Sequence, residues 1–445
     1  MTSGTRTVLA ALCIWLAIPT TGILAEIRPD TGRKLIPSSV YKSMQNWMLD
    51  KRFDGWLFTG QGTFNDVEGE FLGLRGKTKH RWFIFYGALA SLREPFLIYH
   101  RDDEHVFDGV SFYPTTYRNY VEMKQELEYR IFSVSRDIAI NYSPKLKIPE
   151  VSQIDIGTVE LLQELGLRLR PSCSMLSFYN TRWTNEEVES HKYAAARLDS
   201  ILPIAVKRIG DRLSRDKKIT DYDLARHIGK NLGKLDLELV DPVVVAVGEN
   251  TLKEKFIPTK KNQIRIERDD LIYLEVTARR KKQPEAMHAR LGWTLVASDT
   301  VSSAIQASWN RITAAADTAL ALISNRIKSN ITLTGQEVDI AARRKLSGNP
   351  HVLPRALGYN LNRNDRNFGV RFDNYLYLDN REVMPGMGFT LEPGLYSEQS
   401  ALKLCTNLFI EGDREVTLSA PLQRKLIAVM GNPALVAEAF MPPLD

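Results

Sequence analysis

The chain changes character at Thr181–Glu187. Trp183-Thr184-Asn185-Glu186-Glu187 is a capped helix start, and apolar residues then recur at helical spacing through Ala194, Leu198, Ile201, Ile204 and Val206. Before that point, helix and strand patterns alternate. Val40–Leu49 has helical spacing, while Gly55–Phe58, Arg81–Tyr86 and Pro95–Tyr99 read as buried strands. Tyr120–Phe132 returns to helix, Asp137–Asn141 to strand and Ile156–Leu165 to helix, stopped by Gly166. Beyond the break, helices fit Asp221–Leu232, Ser302–Asn325 and Thr334–Leu346. Strands fit Val243–Val247, Leu271–Thr277, Trp293–Ala297, Gly388–Leu391 and Leu404–Ile410. A chain of 445 residues, 44% apolar, can bury two cores. The expectation is an α/β domain over 26–176, a second domain over 177–435 with helices outside an antiparallel sheet, and a tail over 436–445.

Residues 1–25 read as a cleaved export signal: Arg6, an apolar run from Val8 to Ile18, then Pro19 to Gly22 and a small residue at Ala25. The run is too short for a bilayer span, and no later segment is apolar enough to make one. The protein is therefore expected to be periplasmic or secreted. Cys13 leaves with the signal, and Cys173 and Cys405 are too far apart in sequence to be paired on that basis. A net charge of +6 is small for this length and lacks the basic field with aromatic partners that nucleic acid requires. Asn141-Tyr142-Ser143 and Asn330-Ile331-Thr332 have the form of glycosylation sites. His100-Arg101-Asp102-Asp103-Glu104-His105 reads as a charged turn after a strand rather than a metal site.

Three stretches carry a resemblance. Trp183–His191 with Ala194–Arg197 resembles the opening helix of the catalytic domain shared by aminopeptidase P, prolidase, creatinase and methionine aminopeptidase. Asp270–Ala278 is similar to the strand that delivers that family's first metal carboxylate. Met384-Pro385-Gly386-Met387-Gly388-Phe389-Thr390-Leu391-Glu392-Pro393-Gly394-Leu395-Tyr396 matches most closely. Upstream, Asn141–Pro144, Ile148-Pro149 and Ile156–Thr158 resemble the linker side of the family's amino-terminal domain. The resemblance implies an α+β pita-bread domain of catalytic type, preceded by a creatinase-like α/β domain.

It also implies a ligand set. Active members hold two divalent cations, which generate hydroxide and polarise a carbonyl, on two aspartates, one histidine and two glutamates. Carried over position by position, those ligands fall on Glu275, Ala289, Tyr359, Glu392 and Cys405. Two carboxylates survive. Alanine has no donor, tyrosine has a pKa near 10, and a thiolate suits neither manganese nor magnesium. The family's metal-independent histidine falls on Lys255, leaving Lys255, Glu275 and Glu392 as candidate catalytic residues. No cofactor is expected, manganese or zinc being the divalent metal to look for. Glu275 and Glu392 then need a counter-charge, for which Lys255, His288 or Arg290 is the expected source. Three functions follow: a non-peptidase that binds a peptide or small molecule in its pocket, a hydrolase of Xaa-Pro or other C–N bonds with a rearranged site, and a structural partner of an active relative. The resemblance also implies pairing into a homodimer.

Overall fold

The computed structural model describes residues 38–65, 71–88, 95–110, 113–132, 135–346, 354–362, 369–432 and 435–440. The export segment read over 1–25 lies outside them. Among the described residues no helix is long and apolar enough to cross a membrane.

The amino-terminal domain is built on strands β1 (Gly55–Thr63), β2 (Lys77–Gly87), β3 (Phe96–His100), β4 (Tyr113–Tyr117), β5 (Asp137–Ile140) and β6 (Arg168–Pro171). They form one mixed sheet in the order β4-β3-β2-β1-β5-β6. Successive side chains of a strand point to opposite faces. Trp56, Phe58, Trp82, Ile84 and Tyr86 therefore pack under the helix Ser38–Asp50, with its Met44 and Met48. Leu57, Phe83, Phe85 and Ile98 pack on the other face against Met123, Leu127 and Leu162, from the helices Tyr120–Leu127 and Ile156–Glu164. Burial on both faces explains why these strands are continuous apolar runs rather than alternating ones. Asn141 is buried, its Oδ1 accepting from Trp56 Nε1 at 3.0 Å and Ser172 Oγ at 2.5 Å, so it is a packing residue rather than a glycan acceptor. The helix Cys173–Thr181, which straddles position 176, sends Met175 and Leu176 into this core.

The second domain opens at the capping box: Glu187 N–H donates to Thr184 Oγ1, and Glu187 Oε2 accepts from Thr184 N–H at 2.7 Å. Its strands are β7 (Leu237–Leu239), β8 (Val244–Val247), β9 (Leu271–Arg280), β10 (Ala289–Val296), β11 (Gly358–Tyr359), β12 (Arg371–Phe372), β13 (Gly388–Leu391), β14 (Gly394–Tyr396), β15 (Ala401–Lys403), β16 (Thr406–Ile410), β17 (Val416–Leu418) and β18 (Ile427–Ala428). Pairing is antiparallel except between β10 and β18. Bridges Gly292↔Cys405 and Asn360↔Phe389 tie the smaller sheets to one another and to β10. Helices cover the outer faces, as expected. Asn185–Asp199, Ile201–Leu213 and Asp221–Leu232 pack on Leu274, Val276, Leu291 and Trp293. Ser303–Lys328 and Gly335–Leu346 pack on Phe389, Leu391 and Leu408. The faces left uncovered by helices enclose a cleft.

Candidate functional site

Strand pairing decides which side chains reach that cleft. In the β9–β10 ladder Glu275 stands opposite Gly292 and Thr277 opposite Arg290. Residues directly opposite lie on the same face, so Tyr273, Glu275 and Thr277 share a face with Arg290, Gly292 and Thr294. Ala289 shares the other face with Leu291 and Trp293, in the core beneath the helices. The sequence reading thus places one position too early the side chain that β10 offers to the site. Arg290 lines the cleft, and Ala289 does not. The expected strand begins only at Trp293, whereas β10 starts at Ala289, and its alternation therefore extends back over Ala289 and Arg290.

The cleft encloses about 270 Å³ and is lined by Glu254, Lys255, Glu275, Arg290, Arg355 and Tyr359 among others. Glu275 and Glu392 do face a common space, each side chain only 5% exposed. What separates them is guanidinium. Arg290 Nε lies 3.8 Å from Glu275 Oε1 and its Nη1 3.8 Å from Glu392 Oε1. Arg355, delivered just before β11, contacts Glu392 Oε2 directly through Nη2. Burial works against the charge on Arg290, but the surrounding groups, Glu275 foremost and Asp241 among the others, outweigh it and raise its pKa. Arg355 is likewise raised, the surrounding tyrosines and Glu275 exceeding the cost of burial.

Of the three cations expected to balance the glutamates, Arg290 alone does so. Lys255 is half-exposed and pairs with Asp241 Oδ2 at 3.0 Å, an oxygen it shares with Arg290 Nη2 at 3.2 Å. No ion pair joins Lys255 to Glu275 or Glu392 among the described residues, although Lys255 and Glu275 line the same cleft. His288 lines the cleft but is buried, which together with the nearby Arg290 charge brings its pKa down to about 4 and leaves it neutral. Tyr359 does stand in the cleft, its pKa raised by burial. Cys405 is a buried free thiol whose Sγ lies 3.5 Å from Arg290 O; burial, then Glu275, pushes its pKa far above the thiol range. A protonated buried thiol is neither an anionic metal ligand nor a nucleophile.

Several residues of this site escaped the sequence reading. Arg355, Asp241 and Lys403 sit outside the stretches that carry the resemblance, and Tyr273, inside one of them, falls on no ligand position of the family. Tyr273 donates to Glu275 Oε2 at 2.6 Å. Lys403 is buried, with Nζ 2.9 Å from Lys253 O and 4.2 Å over the Tyr273 ring, and desolvation lowers its pKa to about 8. Gly292 makes room for this arrangement: a Cβ there would lie 2.5 Å from Tyr273 Oη and 3.0 Å from Cys405 Cβ. Gly292→Ala is therefore expected to displace the tyrosine from Glu275 and to destabilise the protein by about 1–3 kcal/mol, the usual result of overpacking. Thermal unfolding measures it, and an unchanged melting temperature would show that the site has slack.

Residues 189–417 match the model of Metallopeptidase family M24. No curated protein matches the chain in sequence. Among solved structures, dipeptidase PepE from Mycobacterium ulcerans is similar at 14% identity and a TM-score of 0.56, covering 88% of this chain and 99% of its own. The N-terminal domain of FACT complex subunit SPT16 from Cicer arietinum (chickpea) aligns at 12% identity and a TM-score of 0.52, covering 91% of this chain and 97% of its own. The fold is therefore the pita-bread arrangement with its preceding α/β domain. With the family model matched over half its length, the chain belongs to metallopeptidase family M24.

Proposed function

We propose that this family member lacks the dinuclear metal centre and serves as an exported binding protein rather than a peptidase. The observation that carries the reading is the pair of guanidinium groups, Arg290 and Arg355, set against the two carboxylates, Glu275 and Glu392. Arginine cannot be deprotonated in a protein, so neither charge can be withdrawn to admit a cation. Like unit charges about 4 Å apart repel by about 4 kcal/mol at an effective dielectric of 20, and each dication doubles that. The donors do not fit two hard cations, and the buried Cys405 thiol adds no negative charge.

Polar atoms suited to a peptide-like ligand belong to Arg355 and Asn360 in the cleft lining and to Glu392 beside it. The acceptors Glu392 Oε1 and Asn360 Oδ1 and the donor Arg355 Nε are buried without a hydrogen-bond partner. Buried polar groups are rarely left so. An ammonium or amide N–H would answer the first two, and a carbonyl or carboxylate the third.

Metal analysis after dialysis against manganese, with hydrolysis of Xaa-Pro dipeptides in the same buffer, tests the reading. Substoichiometric metal, no turnover, and calorimetric binding of an intact dipeptide are expected. Two equivalents of manganese, with turnover abolished by Glu392→Ala, would restore the peptidase assignment.

A further inference from the structure

The charged turn after β3 is less bland than its sequence. Asp103 is buried, its side chain 1% exposed, and its carboxylate accepts from the backbone N–H of Lys79 at 2.8 Å and of His80 at 2.9 Å. Its Oδ2 also lies 3.2 Å from His80 Nδ1. From the neighbouring strand, the His100 ring stacks on His80 with centroids 3.7 Å apart. His100 Nε2 is 3.2 Å from Arg118 O, a group that can only accept. Each imidazole thus has one nitrogen placed as a donor, to a carboxylate or a carbonyl. That is the arrangement metal-binding histidines adopt, with an acceptor behind the ring fixing tautomer and orientation. The other nitrogen of His100, Nδ1, accepts from the backbone N–H of Asp102 at 3.2 Å, a contact that a bound ion would replace.

One ligand atom from each of His80, His100 and Asp102 can be chosen so that all lie within 4.8 Å of one another. Asp102 Oδ2 is 3.8 Å from His100 Nδ1 and its side chain is 61% exposed, free to swing inward. Bonds of about 2.0–2.1 Å in a tetrahedron place donors roughly 3.3 Å apart, so a modest closure of the carboxylate completes the geometry.

We propose that His80, His100 and Asp102 form a binding site for one zinc-class divalent cation at the edge of the amino-terminal sheet, with Asp103 orienting His80. Two imidazoles and one carboxylate suit zinc, whereas calcium and magnesium demand more oxygen donors. The fourth position is open to water. A bound ion would tie β2 and β3 to the turn Arg101–Val106. The site is independent of the cleft in the second domain and of the function proposed for it.

Calorimetric titration of zinc chloride into the full-length chain, stripped with chelator and free of any affinity tag, tests the site. One equivalent is expected to bind and to raise the melting temperature. His80→Ala should abolish the event. Asp102→Asn, a change at an exposed side chain that leaves the apo melting temperature unaltered, should weaken it by about 10-fold or more, by analogy with losses on altering metal-site groups. His105→Ala, in the same turn, should leave it unchanged. Zinc binding that is indifferent to Asp102→Asn or survives His80→Ala would overturn the proposal, as would no binding at millimolar zinc. In that event the pair His80–Asp103 is a structural contact alone.

Discussion

Acidification from pH 6.5 to 4 is expected to remove about 5 kcal/mol of stability through two histidines alone, roughly 2.6 kcal/mol for each, from 1.36 kcal/mol per pKa unit with each group half-titrated at one end of the range. His191 and His288 are packed inside the second domain, and burial is the first cause that takes both pKa values down to about 4. His191 Nδ1 lies 2.7 Å from His288 O and so carries the proton, while Nε2 accepts from Ser419 Oγ at 2.7 Å. Both rings are therefore neutral in the native state. The unfolded chain, with histidines near 6.5, takes up protons that the native state refuses. Stability is fully present above about pH 6.5 and falls as the pH drops toward 4, with a slope approaching 2.7 kcal/mol per unit where two protons differ. Urea unfolding at pH 7, 6 and 5 measures that slope. Because carboxylates join in at the acid end, the decisive comparison is with His288→Leu, which should halve the dependence between pH 6 and 5. An identical slope in the variant would mean that His288 titrates normally in the native protein.

The architecture was legible wherever a period or a cap repeats over several residues. Thr184–Glu187 announced the second domain because a capping box is local chemistry, and the apolar runs of β1, β2 and β9 announced strands buried on both faces or beneath helices. Helix ends agreed to within a few residues, although Tyr120–Phe132 divides into an α-helix to Leu127 and a π-helical segment after it. Short strands such as β11, β12 and β14 were not legible, since two or three residues carry no period. The site was harder for a different reason. Glu275 and Glu392 could be found because carboxylates remain there from a recognisable pattern, but the groups that neutralise them come from elsewhere. Arg355 lies on a connection before a two-residue strand, and Asp241, which draws Lys255 away from the glutamates, precedes β8. Their meeting is a property of the folded sheets, invisible to spacing. Ala289 shows the cost of leaving a strand unphased, because a shift of one residue exchanges a core methyl for a guanidinium.

Truncating Arg355 should expose what that guanidinium does. Arg355→Ala is expected to cost about 3–5 kcal/mol, because removing one partner of a buried pair leaves the other charge uncompensated. Both side chains qualify, Arg355 at 14% exposed and Glu392 at 5%. Arg290 remains near Glu392 but at 3.8 Å and already divided among Glu275, Thr277 and Asp241, so it cannot fully substitute. Glu392→Gln should cost less than Arg355→Ala, since the guanidinium keeps a carbonyl-type acceptor while the amide carries no charge. The double variant Arg355→Leu/Glu392→Leu should recover most of the loss, because apolar groups of similar volume replace a buried ion pair with little penalty. Denaturant unfolding of the two single leucine variants and the double gives a cycle whose coupling energy reports the pair directly. The same proteins separate a protein-supplied cation from a metal site. If Arg355 is the counter-charge of Glu392, its loss is not repaired by manganese. Should manganese restore Arg355→Ala to wild-type stability, the two glutamates would still be a working metal-binding pair, and the arginine a plug rather than a replacement.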